Sequence, residues 1–449
     1  VEYTASSSLI LIVIAGISLL LFLIIRSKLH AFVALLLVSL LVGIAAGMPL
    51  KSVIESIQNG MGGTLGFVAV VVGLGAMFGQ MLEASGGAER LAQTLMRKFG
   101  ESKAQWALGI TGFFVAIPVF FDVGFIILVP IVYGLAKKTG RSLLYYGIPL
   151  LAGLAVTHSF IPPTPGPIAV ANLIGADLGW VILFGFIAGI PAMIVAGPLF
   201  RKYISQKIHA SIPTYMEWKE YENERDLPSL GLITTIILVP LLLILLNTVS
   251  GVVLPEKSTF RAFFTFLGHP FVALTIATLL AFYFLGRKRG LSKQQVQDIA
   301  TKALEPAGII ILVTGAGGVF KQILVDSGVG KVLADMMSTS SLPPIVLAFI
   351  IAALVRVSQG SATVAMVTSA GLMAPFIETL QLTGPILGLI TIAIAAGATI
   401  LSHVNDSGFW LVNRYFGLEV KDTLKSWTVM ETIIAVVGFS VVFVISLFV

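Results

Sequence analysis

The chain has 449 residues, of which 57% are hydrophobic and 11% charged, and its 28 Lys and Arg outweigh 22 Asp and Glu for a net charge of +6. Ordinary globular domains carry about 25% charged residues, so this composition excludes a water-soluble protein and points to an integral membrane protein. There is no cysteine, which removes disulfides and thiolate metal sites. The basic residues gather at segment ends, a pattern of membrane topology and not of nucleic-acid binding.

Residues 8–25 are apolar and are followed, not preceded, by Arg26 and Lys28. Without a small-residue cleavage site they predict a retained helix and not a signal peptide. Apolar stretches at 29–48 and 64–82 come next. The stretch 105–136 is interrupted by Pro118, Asp122 and Pro130 and has basic residues at both ends (Arg97, Lys98 and Lys103; Lys137, Lys138 and Arg141). Basic flanks mark the cytoplasmic side, so this stretch enters and leaves on one side as a re-entrant hairpin. Residues 143–176 carry His158 and the run Pro162 to Pro167, and predict a broken crossing; 180–200 returns inward. Residues 201–229 are polar, with Glu217, Glu220, Glu222, Glu224 and Asp226 among several bases, and read as a cytoplasmic linker.

Spans at 230–250, 263–286 and 305–325 follow. The stretch 344–378, with Arg356, Gly360 and Pro375, predicts a second hairpin, from the outer side. Residues 384–420, with His403, Asn405, Asp406 and Arg414, predict a second broken crossing, and 428–448 a last helix. Most of the Lys and Arg then lie in the cytoplasm and both termini lie outside.

The chain also contains itself twice. Gly73 to Leu95 matches Gly315 to Met337 at an offset of 242, with identities that include Gly73/Gly315, Phe78/Phe320, Gln80/Gln322 and Ser85/Ser327. The same offset returns at Gly166/Gly408, Val170/Val412 and Gly175/Gly417. The expected fold class is an all-α integral membrane protein. It has two inverted repeats of five transmembrane helices each, each with one re-entrant hairpin and one broken helix. The repeats are residues 1–200 and 230–449, joined by the linker 201–229. Repeated halves are a transporter signature, because two copies of one unit can rock around a central site. Gly73-Leu74-Gly75 and Gly315 to Gly318 lack a following Lys-Ser/Thr and read as close helix packing, not phosphate loops.

Prolines and charges inside apolar stretches are tolerated where they face protein or a watery cavity. The two hairpin tips and two helix breaks should therefore meet near the midplane. Helix N-termini expected to start after Gly124, Gly166, Gly360 and Gly408 offer free N–H groups to an anion. Ser159, Thr164, Ser358, Ser361, Thr363 and Ser407 hydroxyls and the Gln359 and Asn405 amides suit a polyol. Arg356 can fork onto a carboxylate; its alternative role is to pair with Asp122 or Asp406. Asp122, Asp406, His158 and His403 are candidate proton carriers, although the acids could instead cap half-helices and the histidines could be purely structural. Two His and two Asp spread over four loops make a poor metal set. No cofactor and no metal is expected.

At Phe120–Gly124, His158–Pro167, Arg356–Ala365 and Ser402–Trp410 the chain resembles the gluconate permease family, within the ion transporter superfamily, and the resemblance extends over essentially the whole length. The resemblance implies a bacterial inner-membrane symporter that takes up gluconate or a related sugar acid with protons, and a homodimer held by scaffold helices. In gluconate-specific members the resemblance leads us to expect Glu at the place of Asp122 and His at the place of Thr164. Other readings are a D-serine-type amino acid permease, in which an acid must face the ammonium, and a cation/proton antiporter, in which the aspartates bind the cation. No Ser-His-Asp or His-Glu-x-x-His spacing supports an intramembrane enzyme.

Overall fold

A computed structural model describes residues 6–214, 227–328, 342–404 and 406–449. The acidic part of the linker and Asn405 lie outside the described residues. The described chain is helical. The helices of the first half are α1 (Ser6–Ile25), α2 (Ala31–Ala45), α3 (Leu50–Ala84), α4 (Gly87–Phe99), α5 (Ala104–Val115), α6 (Phe121–Thr139), α7 (Leu143–Phe160), α8 (Pro165–Ile174), α9 (Leu178–Ile194) and α10 (Phe200–Lys207). Those of the second are α11 (Leu230–Val253), α12 (Thr259–Leu267), α13 (Pro270–Leu280), α14 (Lys293–Lys302), α15 (Leu304–Asp326), α16 (Pro344–Gln359), α17 (Ala362–Thr379), α18 (Pro385–Gly397), α19 (Ser407–Phe416), α20 (Val420–Thr423) and α21 (Val429–Ser446).

Among the described residues, eight helical runs are long and apolar enough to cross a membrane, and α2, the apolar part of α16, and α18 are apolar but shorter. Two spans differ from the sequence expectation. The helix expected at 64–82 starts at Leu50, directly after Pro49, and its added turns carry an exposed Lys51–Glu55 pair at 3.6 Å. The span expected at 263–286 is split at Gly268 and His269. Pro270 has no N–H to continue α12, so it opens a new helix at its first position.

Local punctuation sets the breaks. Gly360 ends α16 with φ +85, a left-handed conformation that only glycine takes without strain. Ser361 caps α17 by accepting from the Val364 amide. Pro165 opens α8 and Pro385 opens α18. Helices α6, α7 and α8 begin at 121, 143 and 165, and α17, α18 and α19 at 362, 385 and 407, so their starts differ by 241, 242 and 242. That spacing matches the sequence repeat.

The inner face of α3 packs along α15, and α8 packs on α17 and α18. Small residues permit this closeness. A Cβ on Gly318 would stand 2.0 Å from Thr64 Oγ1, and one on Gly317 would stand 2.2 Å from Val367 Cγ1. The backbone break before α6 rests directly on α3, where a Cβ on Gly79 would meet the Pro118 carbonyl at 1.8 Å. Most buried apolar side chains form one core that runs from α3 to α21. A second, smaller core joins α1 and α2 to α15.

Candidate functional site

A cavity of about 480 Å³ opens where these breaks converge. The start of α6 gives it Phe120, at the cap, and Phe121, Asp122 and Val123. From the end of α7 come His158 and Ser159, and from α16 and the start of α17 come Arg356, Gly360, Ser361 and Thr363. Asp406, Ser407 and Gly408 enter from the start of α19, Trp427 from the turn before α21 and Glu431 from α21 itself. All four interrupted segments of the sequence therefore reach one space.

Arg356 is the centre of its polar network. The side chain is 3% exposed, and its Nη2 donates to Asp406 Oδ2 at 2.5 Å. Its Nη1 donates to the Gly360 carbonyl. Asp406 in turn caps α19, accepting from the Gly408 amide at 3.1 Å on Oδ1. Ser402 Oγ donates to Asp406 Oδ2 and accepts from Trp427 Nε1 at 2.7 Å. One carboxylate thus ties α16, α19 and the turn before α21 together. A buried ion pair gains little net stability unless its remaining polar atoms are satisfied; here both Asp406 oxygens have partners, while the Arg356 Nε is buried without one.

The other predicted residues divide by place. Asp122 is exposed to the cavity and is not the cap of α6, whose N-terminus has no side-chain hydrogen bond. His158 meets the Phe120 ring edge-on at 6.3 Å, and its Nδ1 is buried without a partner. His403 is absent from the cavity wall; its Nε2 meets the Val357 carbonyl at 3.1 Å. Thr164 is buried off the cavity and donates to the Ile161 carbonyl at 2.6 Å. Gly124 and Gly166 lie within first turns and face packing partners: a Cβ on the first would meet Leu154 at 2.9 Å, and one on the second Met366 at 2.5 Å. The helices start before these glycines, at Phe121 and Pro165, so the glycines serve close packing and not an open N-terminus. Gly360 and Gly408 do border the cavity, but only Gly360 precedes a helix start; α19 opens at Ser407, one residue before Gly408. The Ser358 and Gln359 side chains and Asn405 lie outside the described residues.

The sequence reading misses Trp427 and Glu431, together with the apolar wall residues Ala155 and Ile310. A lone acid inside the apolar stretch 428–448 is itself a signal of function, and Glu431 carried that signal. Trp427 carries no such mark. It lies in a π-helical turn, Leu424–Thr428, that precedes α21, and it borders the cavity from there. No group of three or more His, Asp or Glu that could hold a metal occurs among the described residues.

A water-accessible cavity with buried charge, enclosed by broken helices of a multi-pass membrane protein, is the arrangement of a small-solute permease. The chain belongs to the GntP family of permeases, whose family model matches residues 8–448. It is 44% identical to the low-affinity gluconate transporter of Escherichia coli K12 over 96% of both chains. It is 43% identical to the Gnt-II system L-idonate transporter of the same strain, over 96% of this chain and 97% of that one. The fold is similar to the YdaH transporter of Alcanivorax borkumensis, with a TM-score of 0.67, 15% identity, and coverage of 93% of this chain and 98% of that one. These relatives are transporters, not enzymes.

Proposed function

We propose that this permease takes up gluconate or a closely related sugar acid together with protons across the bacterial inner membrane. The observation that carries the reading is the pairing of relatives named for gluconate and L-idonate with a cavity whose wall holds one buried arginine beside several hydroxyls. The substrate carboxylate sits at the Arg356 guanidinium and shares it with Asp406, while Ser159, Ser361, Thr363 and Ser407 meet the sugar hydroxyls. The α5–α6 and α16–α17 pairs act as re-entrant hairpins of two inverted repeats, and these move with the broken α7–α8 and α18–α19 segments against the remaining helices. Protons enter because a cavity rich in carboxyls repels a second anion. The scaffold helices join two copies in a dimer, and both termini face outward.

Uptake by purified protein in proteoliposomes tests this. Gluconate, L-idonate and D-serine are offered with and without an inward acid gradient. We expect sugar-acid uptake that rises with the gradient. Preference for D-serine would support the amino acid reading, and proton flux driven by sodium with no organic substrate would support the antiporter.

A further inference from the structure

Glu431 stands in the first turn of α21 and is 4% exposed. It lines the cavity, yet its Oε1 has no hydrogen-bond partner. The ionisable groups that face the same space are His158 from α7, Arg356 from α16, Asp406 at the cap of α19 and Asp122 from α6. Helices α9 and α18, which also pack along α21, carry no titratable side chain, and Lys425, in the preceding turn, is exposed and off the cavity. Arg356 is engaged by Asp406 and Gly360.

One arginine therefore serves three carboxyls. With all three ionised and His158 neutral, the cavity holds an excess of two negative charges, and a substrate carboxylate brings a third. Like charges in a space of low dielectric repel strongly, so an anion is admitted only when one acid is neutral. Asp406 has its oxygens engaged by Arg356, Ser402 and the Gly408 amide. Asp122 is open to the cavity, where water can solvate its charge. Glu431 alone among the three is both buried and unpaired. We propose that Glu431 is the binding site of the coupling proton. On this proposal, which rests on the proton-symport reading, a proton from the outer water adds to the Glu431 carboxylate as substrate enters. The carboxyl returns that proton to the inner water after substrate leaves.

The test is Glu431→Gln in proteoliposomes, read two ways on the same vesicles. Gln keeps the shape and cannot gain or lose the proton. We expect gluconate counterflow to persist above that of empty vesicles, while accumulation driven by an acid gradient is lost. Glu431→Asp keeps an acid and should still accumulate gluconate, with a moved pH profile. Accumulation by Glu431→Gln at the wild-type level overturns the proposal and makes His158 or Asp122 the carrier. If wild-type protein accumulates gluconate equally with and without the gradient, the symport reading fails first and this proposal with it. Should Glu431→Gln be inactive in both assays, the aspartate variant decides: a moved pH profile supports the proposal, and an unmoved one overturns it.

Discussion

Arg356→Lys separates the two tasks of the guanidinium. In the structure Nη2 donates to Asp406 and Nη1 to the Gly360 carbonyl, from a side chain 3% exposed. Lysine keeps the charge but offers a single ammonium on a flexible stem, so it cannot hold a fork of two acceptors and a substrate carboxylate together. A hydrogen bond to a charged group contributes about 1.5–3 kcal/mol. Loss of one such contact to substrate corresponds to about a 10- to 100-fold weaker apparent affinity, at about 1.4 kcal/mol per tenfold. The Asp406 charge stays paired with the ammonium, so the folded protein survives. Arg356→Ala would instead leave that carboxylate uncompensated, at a cost of about 3–5 kcal/mol. The assay is the concentration dependence of gluconate counterflow, with a detergent melting curve to show that the variant is folded. An unchanged half-saturation in folded Arg356→Lys would refute direct binding and leave Arg356 as the structural partner of Asp406.

Three further outcomes are expected. Gly79→Ala should lower the melting temperature, because its Cβ falls 1.8 Å from the Pro118 carbonyl and overpacking costs about 1–3 kcal/mol; an unshifted melt would show that the break before α6 can move aside. Ser402→Ala strands the buried Trp427 N–H and frees one side of Asp406, a loss of about 1–3 kcal/mol. It should both reduce stability and weaken gluconate affinity, and wild-type behaviour in both would argue against the network. Single cysteines at positions 100 and 139 of this cysteine-free chain should resist an impermeant thiol reagent from outside. External labelling at both would overturn the hairpin assignment of α5 and α6.

The site was half legible. His158, Arg356 and Asp406 announce themselves because a charged or ionisable side chain within an apolar stretch is costly and needs a reason. Gly360 and Pro165 mark breaks because each imposes a backbone conformation that neighbouring residues cannot ignore. Thr164 and Gly166 share the same broken segment, yet they face the protein and not the cavity. A motif says that the chain bends there and leaves open which way each side chain turns.

By itself the sequence determined the membrane class, the repeat at 242 residues and the four interrupted segments, since hydropathy, glycine and proline act locally on the backbone. Only the tertiary structure decided that Arg356 pairs with Asp406 and not Asp122, and that Glu431 joins them from the last helix. Those choices depend on how helices far apart in the chain cross. Partnership between buried charges is set by distances across the packed bundle, which no spacing along the chain contains.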